Sequence, residues 1–222
     1  MNTIIKKATY FIILFFSINI LANNNQNISN TDLSFNELID IFKTMSAQFK
    51  QYSINNNKKQ FESSGTLFIT KPDKFRWDIL HPNNQVLLSD GNQFIDYDID
   101  LEQASIKSLK NISKKVPIYI LSGNSKSIEQ NYDIKKLSNK NKKIIYRLTP
   151  KNNKITPKKN FNQGQNITAV DMAFSNNALS SIELFSNNKL ITTIAFYKVK
   201  LNKNISLKKF KLFIPKDVEI LK

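Results

Sequence analysis

The chain has 222 residues, with 33 lysines and arginines against 17 acids, and its formal charge of +16 invites a polyanionic partner. Only Arg76 and Arg147 are arginines, and the lysines scatter over every segment instead of gathering in one stripe, so the reading is that no nucleic acid is bound. Cysteine is absent, which excludes a disulfide framework, thiolate metal sites and a lipid-anchored N-terminal cysteine.

In chain order, Lys6 and Lys7 precede an apolar run over 8–21 that ends at Ala22. A basic region, a short apolar core and a small residue at the cut describe a secretory signal peptide over 1–22. The run is shorter than the roughly 20 residues that a membrane-spanning helix needs. The mature chain, 23–222, is expected to be a single domain in an extracytoplasmic space. After a polar leader, Ser34 and Glu37 have the spacing of a capping box. Phe35, Leu38, Ile39 and Phe42 follow at helical spacing, which predicts an amphipathic helix of about three turns.

Beyond Ala47 the period changes to two. Strands are expected over 61–70, 74–80, 85–89, 93–98, 101–109, 131–137, 142–149, 167–174, 179–185, 190–201 and 208–214, about eleven in all. Glycine is scarce, and asparagine pairs such as Asn176-Asn177 and Asn187-Asn188 stand where turns are needed. Asparagine tolerates positive φ, so these pairs suit hairpins. The class is mainly β, an antiparallel sandwich or barrel. The segment 116–121, VPIYIL, lacks strand alternation and reads as a short helix or loop over an apolar surface.

Chemistry-bearing constellations are weak. His81, the sole histidine, precedes Pro82 in a turn, with no nucleophile motif to serve. Asp96, Asp98 and Asp100 imitate the opening of a calcium loop, but Leu101 stands where that loop needs glycine. Alternation turns Ile95 and Tyr97 one way and the acids the other, towards solvent. No metal site, cofactor or enzymatic activity is expected. Large apolar residues recur on one face of successive strands: Phe75, Trp77 and Ile79, then Ile95 and Tyr97, Tyr146, and Phe196. Periodicity leaves both a packed core and a ligand cavity open.

Taken together, FITKPDKFRW at 68–77, SDG at 89–91, YD at 97–98 and LEQ at 101–103 resemble the LolA family of periplasmic outer-membrane lipoprotein carriers. The resemblance implies an incomplete antiparallel β-barrel with a helical lid over an apolar cavity. It implies a periplasmic chaperone without cofactor, monomeric, that takes lipid-modified proteins by their acyl chains. The implied partners are an inner-membrane LolCDE-type ABC transporter and an outer-membrane LolB-type acceptor. Phe75, Trp77, Ile118 and Tyr119 match cavity positions of the family, and Ile79, Ile95, Tyr97, Tyr146 and Phe196 extend that wall. Phe35, Leu38, Ile39 and Phe42 form the lid helix. Where the family commonly has arginine before the proline, this chain has Lys71, a single point donor in place of a planar fork; it is the expected lid latch. A second reading of the same fold is a lipid- or glycolipid-binding sensor or transport protein.

Overall fold

The computed structural model describes residues 33–55, 58–109, 117–151 and 167–221; the expected signal peptide lies outside them. The chain opens with helix α1 (Phe35–Asp40), then runs β1 (Thr44–Asn55), β2 (Lys58–Thr70), β3 (Lys74–His81), β4 (Gln85–Asp90), β5 (Gln93–Asp98) and β6 (Gln103–Ser108). Helices α2 (Pro117–Ser122) and α3 (Ser125–Asn131) lead into β7 (Tyr132–Lys140), β8 (Lys143–Pro150), β9 (Ala169–Ser175), β10 (Ala178–Ser186) and β11 (Lys189–Leu201). A 3-10 turn (Leu207–Phe210) and β12 (Glu219–Leu221) complete it.

All twelve strands belong to one sheet, in the order β12-β6-β5-β4-β3-β2-β1-β11-β10-β9-β8-β7. The fold is mainly β, with an open sheet whose edges are β12 and β7. Two meanders, β1–β6 and β7–β11, are joined where the early strand β1 pairs with the late strand β11. The ladder is antiparallel except at one edge, where β12 runs parallel to β6.

Three hairpins follow the asparagine reading, while Asn83-Asn84 before β4 turns without positive φ. The pairs Asn141/Lys142, Asn176/Asn177 and Asn187/Asn188 all have φ between 47° and 63°. Positive φ at both central residues defines the mirror-image two-residue turn, whose twist matches that of the strands. Asn202, also at positive φ, has a different task. Its amide donates to the Ile41 carbonyl at 2.9 Å and accepts from the Lys43 amide at 2.8 Å. That grip turns the chain from α1 into β1.

Four expectations need correction. The first helix has six residues and not three turns, because Asn202 captures the backbone just beyond it and Phe42 lies outside the helix. Residues 44–55 form the strand β1, whose Met45, Ala47 and Phe49 alternate inwards; with β12 gained and 208–214 lost, the described residues hold twelve strands. The segment 208–214 is not a strand but a 3-10 turn followed by an extended arm. Helix α3, absent from the sequence reading, precedes β7, with Asn124 accepting from the Ser127 amide at its start.

Two apolar clusters result. The larger lies on the sheet face that carries the helices and includes Phe49, Leu67, Ile69, Phe75, Trp77, Tyr146, Leu148, Phe174, Leu184 and Phe196. The smaller lies on the other face of β4–β6, where Val86, Leu88, Ile95, Tyr97 and Ala104 meet Val218, with Leu212 and Ile214 of the C-terminal arm against them. Gly65 allows β2 to approach β3 closely. A Cβ at that position would lie 1.8 Å from the Asp78 carbonyl oxygen. Gly65→Ala therefore forces strands apart in the middle of the sheet. We expect it to destabilise the fold by about 3 kcal/mol, seen as an earlier urea unfolding midpoint; an unchanged midpoint would show that β2 and β3 adjust freely.

Candidate functional site

Among the described residues, the helix-facing side of the sheet is the larger of two apolar surfaces that short elements cover. Ser34 caps α1: its hydroxyl accepts from the Glu37 amide, and the Glu37 carboxylate accepts from the Ser34 amide at 2.8 Å. The Ser34 hydroxyl, which also donates to that carboxylate at 2.7 Å, and the Ser34 amide together hold the Glu37 carboxyl below its ordinary range. The cap sets the helical turn that aims Phe35, Leu38 and Ile39 at the sheet, and Phe42 follows; all four are buried. Phe35 stands edge-on to Tyr146 with ring centres 5.5 Å apart, and the Tyr146 hydroxyl donates to the Leu33 carbonyl at 2.8 Å.

Phe75 and Trp77 face this helix layer and are 0% and 3% exposed. Trp77 packs on Phe49 with ring centres 4.5 Å apart and on Phe196 at 6.2 Å. Ile79 is partly buried against the same cluster. Among the described residues this face is filled by side chains of the sheet, of α1 with Phe42, and of α2 and α3. Ile95 and Tyr97 are not part of it. They point through β5 to the smaller cluster under the C-terminal arm, because β4 and β5 are covered on both faces. The side chains of Ile118 and Tyr119 lie outside the described residues, although their backbone belongs to α2.

The same alternation brings Asp96 to the helix-facing side, not to solvent. It is half-buried and accepts from the Gln85 amide at 2.6 Å. Burial pushes its carboxyl up, and the Gln85 bond offsets part of that shift. The interior thus grades from apolar at its centre to polar along β5.

Lys71 sits where β2 ends, under α1. Its ammonium donates to the Ile39 carbonyl, one of the free carbonyls at the helix C-terminus, and lies 3.9 Å from the centre of the Phe42 ring. Burial lowers the Lys71 pKa from 10.5 to about 8, and the nearby Asp40 carboxylate works the other way. Asp40 in turn accepts from the amide and hydroxyl of Ser125, and Asn36 donates to Glu129 at 2.7 Å, tying α1 to α3. The backbone amide of Asp73 donates to the Ser122 carbonyl at 3.1 Å and holds α2 beside the β2–β3 turn. Sequence reasoning missed Phe49 and Asn202. The alternation of Met45, Ala47 and Phe49 could have revealed the first; a lone asparagine after a strand gives no signal for the second.

Short helices held by a few polar ties therefore close the apolar face of an open sheet. The sequence profile described as "Outer membrane lipoprotein carrier protein LolA" matches residues 40–213, and the chain belongs to that family. The outer-membrane lipoprotein carrier protein of Francisella philomiragia is 32% identical over 221 residues, covering 97% of each chain. The protein of the same description from Legionella pneumophila (strain Paris) is 25% identical over 216 residues, covering 97% of this chain and 98% of its own. Among solved structures, an uncharacterized conserved protein from Thermus thermophilus has the same fold, with TM-score 0.51 at 10% identity over 84% of this chain and 93% of its own. The family is one of carriers, not of enzymes. No helix among the described residues is long and apolar enough to cross a membrane.

The buried ammonium has a pH consequence. Folding weakens proton binding at Lys71, so the unfolded chain holds more protons between about pH 8 and 10.5, and stability rises with pH across that window. Above 10.0 the buried Tyr132 phenol, whose pKa burial raises, opposes the trend. Urea unfolding of wild type and Lys71→Met, compared just below pH 8 and near pH 9.5, should show a rise in wild type that the variant lacks. Equal slopes in both would place the Lys71 ammonium in water.

Proposed function

We propose that this chain is a periplasmic carrier chaperone that takes lipid-modified proteins from an inner-membrane LolCDE-type ABC transporter and delivers them to an outer-membrane LolB-type acceptor. Residues 1–22 act as its cleaved signal, and the mature carrier works as a monomer without cofactor. The observation that carries this reading is the cover of the large apolar face: a six-residue helix with three buried apolar side chains, Phe35, Leu38 and Ile39, and a fourth, Phe42, just beyond it. In the loaded protein the acyl chains take the place of those side chains against Phe75, Trp77, Ile79, Tyr146 and Phe196.

The magnitudes suit reversible exchange. Four buried apolar side chains contribute roughly 6–12 kcal/mol together, and an acyl chain about 0.8 kcal/mol per buried methylene. One chain of ordinary length therefore offsets the loss of the whole apolar stripe of α1. The net affinity stays small enough for an acceptor to win. Lys71 adjusts the balance as a latch on α1, and its lowered pKa marks a strained one: a desolvated ammonium holding a single carbonyl.

Lys71→Arg replaces the point donor by a fork that stays charged and makes two directed bonds. It should favour the closed, empty form, whereas Lys71→Leu removes the tie and should trap cargo in the open form. Transfer of a lipoprotein from each variant to its acceptor tests this; equal rates in all three proteins would sink the latch. The carrier reading itself is tested by native mass spectrometry of protein purified from its own periplasm. A co-purifying acylated protein is expected. A bound free lipid or glycolipid in its place would favour the sensor reading of the fold.

A further inference from the structure

A cleft of about 420 Å³ lies between the α2–α3 pair and the turns that join β2 to β3 and β4 to β5. Its mouth is polar, with Asp73, Asn92 and Ser127. Its floor is Ile120, Ile128 and Tyr132. All three floor residues are at most 3% exposed and belong to the large apolar cluster under the helices. The cleft therefore runs from solvent to the same core that α1 covers, and its mouth begins two residues beyond Lys71 in the β2–β3 turn. A carboxylate, an amide and a hydroxyl around an apolar floor form a pocket for an amphipathic head, with acceptors placed for N–H and O–H donors. Asp73 is at φ 62°, a conformation that asparagine also tolerates, so its charge can be removed without straining the turn.

We infer that this cleft is the port of the carrier. An acyl chain enters the core between α2–α3 and the sheet, and the glycerol- and amide-linked head of the acylated N-terminus then stays in the polar mouth. The port rests on the carrier reading and deepens it. It separates two jobs: α1 yields volume in the core, while α2 and α3 admit the chain and hold its head. Because the backbone bond from Asp73 to Ser122 ties α2 to the sheet, the port stays shaped while α1 moves.

The probe is a synthetic triacylated cysteinyl peptide bearing a fluorophore, with a head-free long-chain alkyl dye as the second ligand. Ser127→Trp places an indole across the mouth and should slow peptide association by at least about tenfold, with the thermal midpoint unchanged. Asn92→Leu and Asp73→Asn, both at exposed positions, remove head contacts. They should weaken peptide binding by about fivefold each and leave the alkyl dye unaffected. Wild-type rates and affinities for the peptide in all three variants would overturn the port and leave the carrier reading standing. Failure of the wild-type protein to bind the peptide would overturn the carrier reading and the port with it.

Discussion

Removing an apolar sheet face from water is the constraint on which the rest of this structure depends. Phe49, Leu67, Ile69, Phe75, Trp77, Phe174 and Leu184 converge on one side of an open sheet that has no second sheet to pack against. Such a face must be covered, since apolar surface left in water costs about 25 cal/mol per Å². Here the cover is slight. Six helical residues, one further phenylalanine and two other short helices close a core that spans most of the strands. A cover so small, on so large a face, is what the proposed exchange for a ligand of similar apolar area requires.

The polar ties explain why the cover stays in place yet can be displaced. Tyr146 holds Leu33 just before the cap of α1, Lys71 holds the carbonyl of Ile39, and Asn202 holds the turn after the helix. Tyr146 and Asn202 are neutral, and neutral hydrogen bonds contribute about 1 kcal/mol each. Lys71 is different. Its charge is desolvated in the closed form, so the contact is weaker than its short geometry suggests, and a small change in surroundings alters its balance. Asn202 grips the backbone on the sheet side of the turn, and in the proposed exchange it would be the fixed point about which α1 leaves.

Much of this was legible in the sequence, and the failures have physical causes. Alternation placed Phe75, Trp77, Tyr146 and Phe196 on faces, and helical spacing with the capping box found Phe35, Leu38 and Ile39. Asparagine pairs located hairpins where glycine is missing. Alternation gives faces, however, and not which face meets which core. Ile95 and Tyr97 follow the same pattern as Phe75 and Trp77, but an arm arriving from residues 207–218 builds a second core over them. The same blindness put Asp96 in solvent. The length of α1 was overestimated because periodicity ran on to Phe42, while the stop signal, Asn202, lies far away in the chain. Long-range contacts of that kind leave no local trace.

The chain carries one tryptophan, Trp77, and it lies in the middle of the covered face between Phe49 and Phe196. That makes it a reporter for the proposed exchange of α1 against an acyl chain. The direct measurement is Trp77 emission on titration with triacylated peptides whose chains carry bromine at successive depths, since bromine quenches an indole only at contact. Quenching that is strong and depends on bromine depth is the expected result, with the unbrominated peptide causing little loss. Saturable binding of the brominated peptides with Trp77 emission unchanged would mean that the chains lie elsewhere and that α1 never leaves the sheet.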